Sequence, residues 1–272
     1  MNARRMSLLL IASLLVVVPS LVPAVEATSP SLAAEATFAE RSPAGGGAPG
    51  ASAPAVESIP AFTDGCRILF QGDSITDGNR GRSLDPNHIL GHGYVFIIAA
   101  RHGAAFPQRK LEFFNRGVSG NTVPDLDKRW QKDTLDLKPD LLSILIGVND
   151  NARNIPIDQF ERGYDKLITD AKAANPKLKL VLCQPFGLPV GSRKANWDAW
   201  NAGLEQRRQV AARLAAKHGS ALVKFQQAFD EACKRAPADH WIWDSVHPTY
   251  SGHQIMADEW ERTVRAFWGK EG

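Results

Sequence analysis

Leu141-Leu142-Ser143-Ile144-Leu145-Ile146-Gly147 is the stretch that decides the fold class. It is a strand-length apolar run with no polar alternation, so both of its faces must be buried. A strand of that kind belongs in the middle of a parallel sheet with helices on either side. Similar runs recur outward from it. Residues 67–71 and 111–115 precede it, and residues 178–184 and 221–225 follow. Between them lie segments with helical spacing, at 94–105, 122–137, 157–174, 196–218 and 249–267. Pro107, Pro139, Pro176 and Gly219 end four of these segments, as residues that cannot continue a helix or that cap it are expected to do. The alternation predicts an α/β protein, a three-layer α/β/α sandwich on a five-stranded parallel sheet. No repeat of solenoid length interrupts it.

The chain ahead of this pattern reads differently. Arg4 and Arg5 are followed by an apolar run over 8–18 and by small residues over 24–27. A basic start, a short apolar core and small residues predict a secretory signal peptide over 1–27. The run is shorter than the ~20 residues a membrane span needs. Residues 28–61 are rich in Ala, Pro, Gly and Ser without apolar periodicity, which predicts a disordered linker. One catalytic-size domain, 62–272, remains. The expectation is a secreted or periplasmic protein with no stable membrane insertion.

Charge and cysteine content exclude other classes. Lys and Arg number 32 against 29 Asp and Glu, a net charge of +3. That is too small, and too scattered, for a nucleic-acid partner. The three cysteines, Cys66, Cys183 and Cys233, show no metal-ligand spacing. Cys66 would start the first strand and Cys183 end a later one. Parallel strands hold those positions farther apart than the ~7 Å a disulfide spans, so free thiols are expected. His88 and His92 would share a helical face, but no third ligand accompanies them, and no metal or cofactor is expected.

In doubly wound sheets ligands bind beyond the carboxyl ends of the strands. Ser74 follows the first strand, Gly120 the second and Asn149 the third; Asp244 and His247 share the loop before the last helix. All five can meet at one sheet edge. A serine hydroxyl needs a base to become a nucleophile. In Asp244-Ser245-Val246-His247-Pro248 the carboxylate precedes the imidazole by three residues. Asp244 can then hold one ring nitrogen while the other faces Ser74. Acyl transfer also develops an oxyanion. Its candidate donors are the N–H groups of Ser74 and Gly120 and the side-chain amide of Asn149. Gly120 suits that role because it lacks a Cβ. The rival pattern Gly-x-Ser-x-Gly is absent, which disfavours the α/β-hydrolase fold.

These blocks carry a resemblance. Gly72-Asp73-Ser74-Ile75, Val118-Ser119-Gly120-Asn121-Thr122, Ile146-Gly147-Val148-Asn149-Asp150 and Asp244-Ser245-Val246-His247-Pro248 are similar, in order and separation, to the four blocks of the GDSL, or SGNH, hydrolase superfamily. Ile75 stands where the family name has Leu. The resemblance covers residues 66–267. It implies a flavodoxin-like sheet, ester hydrolysis without a metal, and the roles given above, and it favours secreted carbohydrate acetylesterases. A small-molecule or polysaccharide ester is then the expected substrate. Two alternatives stand beside it: a lysophospholipase or thioesterase of the same superfamily, and a catalytically silent carbohydrate-binding protein on the same fold. Trp243, next to Asp244, is a candidate for stacking on a sugar ring, and Arg80 a candidate lining residue. Trp241, Trp197 and Trp200 read as packing. Asp73 and Asp150 read as braces of the loops that hold Ser74 and Asn149.

Overall fold

A computed structural model describes residues 55–83 and 85–269. The expected signal peptide and most of the expected linker lie outside these residues. In chain order the elements are β1 (Arg67–Gly72), α1 (Ser74–Asp77), α2 (Tyr94–Ala105), β2 (Glu112–Asn115), α3 (Val123–Asp133), β3 (Leu141–Leu145), α4 (Val148–Ala152), α5 (Ile157–Ala174), β4 (Lys179–Cys183), α6 (Trp197–His218), β5 (Ala221–Val223), α7 (Phe225–Ala232), α8 (Ala238–Trp241) and α9 (Tyr250–Trp268). The sheet runs β2-β1-β3-β4-β5 with every pairing parallel. This is the flavodoxin-like strand order, whose switch point lies between β1 and β3.

The opening stretch shows why the sheet is covered on both sides. Successive residues of a strand point to opposite faces. Leu141 and Leu145 of β3 pack with Ile68 and Phe70 of β1 against α2, α7 and α9. Leu142 and Ile144 pack with Leu69 on the other face, against α3, α5 and much of α6. Ser143 is the polar exception and is buried. Its Oγ accepts a hydrogen bond from the indole N–H of Trp260 on α9, at 3.0 Å, which offsets the cost of burying a hydroxyl.

Several boundaries differ from the expectations. Ile59 and Ala61 are buried in the core beside Phe62. Lys179 donates to the Ala61 carbonyl at 2.8 Å. The end of the expected linker is therefore packed; two apolar side chains suffice there, though composition averaged over 28–61 hides them. The last strand stops at Val223 rather than 225. Phe225 and Phe229 instead lie one helical turn apart on α7 and both insert into the core. The helix expected over 122–137 is α3 followed by a 3-10 turn, Leu135–Leu137. Thr122 and Asp125 close its N-terminus as a capping box. Short α1, α4 and α8 escape any periodicity argument because they hold one turn or little more. Cys66, Cys183 and Cys233 are all free thiols; the first two are buried and Cys233 is half-buried. Among the described residues no helix is long and apolar enough to cross a membrane.

Candidate active site

The turn from β1 into α1 forms where only glycine fits. A Cβ on Gly72 would fall on the Leu145 carbonyl oxygen of the neighbouring strand and on Thr76 Oγ1. Asp73 then caps α1, its Oδ1 accepting from the Ile75 N–H at 3.0 Å, as short polar residues do at helix starts. Ser74 is the first residue of that helix and is partly exposed. Its Oγ lies 2.7 Å from His247 Nε2.

The loop between α8 and α9 supplies the partners. His247 Nδ1 lies 2.6 Å from Asp244 Oδ2. Asp244 Oδ1 accepts from two backbone N–H groups, His247 at 2.8 Å and Val246 at 3.1 Å. Burial works against the charge on Asp244. The His247 N–H, the imidazole and the Val246 N–H outweigh it and hold the carboxyl below its ordinary value. An ionised Asp244 fixes the tautomer with the proton on Nδ1. Nε2 is then left as a lone pair facing Ser74. Ser245, between acid and base, is buried with φ +104°, a region non-glycine residues rarely enter. Its Oγ donates to the Val190 carbonyl and accepts from the Arg193 N–H at 3.2 Å; its carbonyl accepts from Leu188 at 2.9 Å. The strained residue thus bolts the loop of Asp244 and His247 to the chain after β4.

The expected oxyanion donors come from three separate loops. Gly120 has φ +79°, and its carbonyl accepts from Arg153 Nη2 at 2.8 Å. Among the described residues, neither the Ser74 N–H nor the Gly120 N–H has a protein acceptor. Asn149, on α4, donates one amide hydrogen to the Asn121 carbonyl at 3.1 Å. An amide has two such hydrogens, so the second is left without a protein acceptor among the described residues. Asp150 beside it is buried and accepts from the Val123 N–H at 2.9 Å, tying α4 to the start of α3. Burial pushes its carboxyl up to about 6.

Residues that sequence reasoning missed hold these loops together. Asp77, at the end of α1, is buried. It accepts from the N–H and Oγ of Ser119 at 3.0 and 2.9 Å and from Arg82 at 3.0 and 2.8 Å. It therefore joins the serine helix to the Gly120 loop. Asn115, at the end of β2, donates to the carbonyls of Thr76 at 2.7 Å and Leu90 at 2.9 Å. The only local signal was a polar residue closing an apolar strand.

The peripheral expectations divide. Trp243 is 65% exposed, with its ring 6.3 Å from that of His247 and nearly parallel to it. Arg80 is half-buried and donates from Nε to the Gly117 carbonyl at 3.0 Å; burial, then the charge of Arg82, lowers its guanidinium to about 10. That contact braces the Gly120 loop from Arg80, and Trp243 is the more exposed of the two candidates. Trp241 is buried, its indole donating to the Ala236 carbonyl at 3.2 Å. His88 sits in a turn, not a helix, and its ring meets Asp85 at 2.7 Å; the shared helical face with His92 does not form.

The arrangement is that of a serine hydrolase, and comparisons with known proteins agree. A profile of the GDSL-like lipase/acylhydrolase family matches residues 70–255. The acetylxylan esterase of Geobacillus stearothermophilus is 32% identical over 217 residues, covering 75% of this chain and 96% of that protein. Its crystal structure superimposes with a TM-score of 0.67. A GDSL-like lipase from Parabacteroides merdae is 35% identical, covers 76% of this chain and 98% of its own, and has a TM-score of 0.72. The chain belongs to the GDSL-like lipase/acylhydrolase family. It is a serine ester hydrolase on the flavodoxin-like sheet.

Proposed function

We propose that the protein removes O-acetyl groups from carbohydrate, with Ser74 as nucleophile, His247 as base and Asp244 as its orienting acid. The observation that carries this reading is the unbroken relay from Ser74 Oγ to His247 Nε2 at 2.7 Å and from His247 Nδ1 to Asp244 Oδ2 at 2.6 Å. Ser74 Oγ attacks the acetyl carbonyl as its proton passes to Nε2. The carbonyl oxygen becomes an oxyanion held by the N–H groups of Ser74 and Gly120 and the amide of Asn149. The sugar oxygen leaves with the proton from Nε2, and the acetyl group stays on Ser74. Water then attacks, giving its proton to His247, and acetate departs as Ser74 recovers its own.

Two features support a sugar rather than a lipid alcohol. Trp243 offers an exposed aromatic face beside His247, a surface suited to a pyranose ring. The G. stearothermophilus relative is an acetylxylan esterase. Crystal structures of that esterase also include variants, described as catalytic mutants, with a serine or an aspartate replaced by alanine. The basic and apolar start of the chain supports export. The experiment is acetate release from acetylated xylo-oligosaccharides set against release of palmitate from matched esters. Faster turnover of the acetylated sugar, lost in Ser74→Ala, is the expected result. Preference for palmitate would overturn the substrate, and turnover retained in Ser74→Ala would overturn the nucleophile. Mass analysis of the exported protein tests cleavage near residue 27.

A further inference from the structure

The oxyanion donors proposed above sit on three different loops; one half-buried side chain touches two of them directly and is one hydrogen bond from the third. Arg129 lies on α3, with its side chain 16% exposed. Its Nε donates to Asn121 Oδ1 at 2.7 Å, its Nη1 to the Arg116 carbonyl at 2.7 Å, and its Nη2 to the Gly72 carbonyl at 3.2 Å. Asp133, one turn along the helix, balances the charge at 3.2 Å. Gly72 is the last residue of β1, two before Ser74. Arg116 and Asn121 bracket Gly120. The Asn121 carbonyl accepts the amide of Asn149. The Val118 N–H joins the same Gly72 oxygen at 3.1 Å.

We infer that Arg129 is a positioning residue that sets the spacing between the three oxyanion donors, an assignment that rests on the oxyanion reading proposed above. The chemistry of the side chain explains the choice. A guanidinium is a rigid planar fork with five donors, so it fixes its three loop acceptors at set angles to one another. A lysine ammonium keeps the charge but donates from a single point on a flexible stem. It cannot hold Gly72, Arg116 and Asn121 together. The donors are useful only if they converge on one oxygen, and a misplacement near 1 Å costs on the order of 10² in rate. Arg129 touches no substrate in this scheme. It acts through Gly72, Asn121 and, by way of the Asn121 carbonyl, Asn149.

The test compares Arg129→Lys, Asn121→Ala and Asn149→Ala with the wild type on 4-nitrophenyl acetate, a substrate that does not depend on sugar recognition. We expect Arg129→Lys to lower kcat about 10- to 100-fold with KM changed less than about threefold. Asn121→Ala deletes only the acceptor of Nε, from a half-buried loop, and settles the matter if the lysine variant does not fold. It is expected to lower kcat about five- to tenfold at unchanged KM and unchanged melting temperature. The effects of Asn121→Ala and Asn149→Ala should combine to less than their product, because both act on one constellation. A folded Arg129→Lys enzyme with wild-type kcat, or effects that multiply in full, overturns the inference about Arg129 while leaving the oxyanion reading intact. A wild-type kcat in Asn149→Ala overturns both.

Discussion

Asp73 carries the prediction that can be worked furthest from the structure. Its side chain is fully buried, Oδ1 caps α1, and Oδ2 has no partner among the described residues. Burial is the largest influence on its carboxyl and pushes it up to about 7 from an ordinary 3.8. The Ile75 N–H draws it down, the charge of Asp150 pushes it further up, and His247 opposes that weakly. The sign follows from proton counting. Between 3.8 and about 7 the folded protein holds a proton on Asp73 that the unfolded chain has lost, so stability falls as pH rises through that window. The gap is about 3 pH units, and at about 1.4 kcal/mol per unit the ionised form costs about 4 kcal/mol above pH 7.

Asp73→Asn removes that titration and keeps an oxygen for the Ile75 N–H. The new amide N–H meets the place where Oδ2 has no partner, a penalty of about 1–3 kcal/mol. That penalty does not depend on pH, so it moves the baseline and not the slope. His253 titrates the other way: burial lowers it to about 4, and its contribution is lost as pH falls from 6.5. His253 is present in both proteins, so its effect cancels in the difference. The measurement is the melting temperature of variant minus wild type, by calorimetry, from about pH 4.5 to about pH 8.5. About 2.5 units of the window lie within this range, about 3.5 kcal/mol, so the difference should rise by about 7–14 °C, at roughly 2–4 °C per kcal/mol for a domain of this size. A flat difference, or one that falls toward high pH, would refute the assignment of an uncompensated carboxylate to Asp73.

Three further outcomes are expected. Asp244→Asn keeps the loop but presents an amide to Nδ1, and kcat on 4-nitrophenyl acetate should fall about 10⁴-fold; a loss under tenfold would remove Asp244 from the relay. Gly72→Ala sets a Cβ against the Leu145 carbonyl, and urea unfolding should show a loss of at least about 1–3 kcal/mol, with an unchanged midpoint contradicting the packing argument. Ser245→Ala strands the Val190 carbonyl and the Arg193 N–H, which should cost about 1–3 kcal/mol, read as a lower melting temperature, and should reduce kcat as the acid–base loop loosens.

The fold was legible where one physical requirement wrote a continuous pattern. Leu141 to Ile146 had to be apolar on both faces, and α5 and α2 appear at the residues their spacing predicts. Legibility failed where length or context decided. Nothing local distinguishes Phe225 as the end of a strand from Phe225 as the start of a helix; the pairing partner of β5 ends at Cys183, and the ladder stops with Val223. Ile59 and Ala61 were concealed by the composition of the residues around them, though each is buried. Ser74, Asp244 and His247, which the structure brings into contact, could be singled out in the sequence because the proposed acyl transfer calls for particular side-chain types, and types can be read from letters.

The layer behind those residues follows a different logic. Asp77, Asn115, Arg129 and Ser245 all act on backbone groups of another loop, and a backbone carbonyl looks the same beneath every side chain. A sequence therefore records the side-chain partner and conceals the backbone one. Arg129 resembles any arginine on an amphipathic helix until β1 and β2 are placed side by side, which brings Gly72 and Arg116 within its reach. The same topology explains why the support is needed. In a parallel sheet each strand delivers its own loop to the common edge, and the β-ladder reaches only into the first residues of that loop, as in Val118 to Gly72. Ser74, Gly120 and Asn149 arrive on three such loops, and His247 on a fourth. In the mechanism proposed above, their convergence on one carbonyl oxygen has to come from contacts between loops. The polar contacts beneath Ser74 are concentrated there, in Asp77 to Ser119, Arg129 to Gly72 and Asn121, and Asn149 to Asn121. Substitutions such as Asn121→Ala, which removes one contact between these loops, should therefore separate catalysis from stability in a way that substitutions in the two apolar cores cannot.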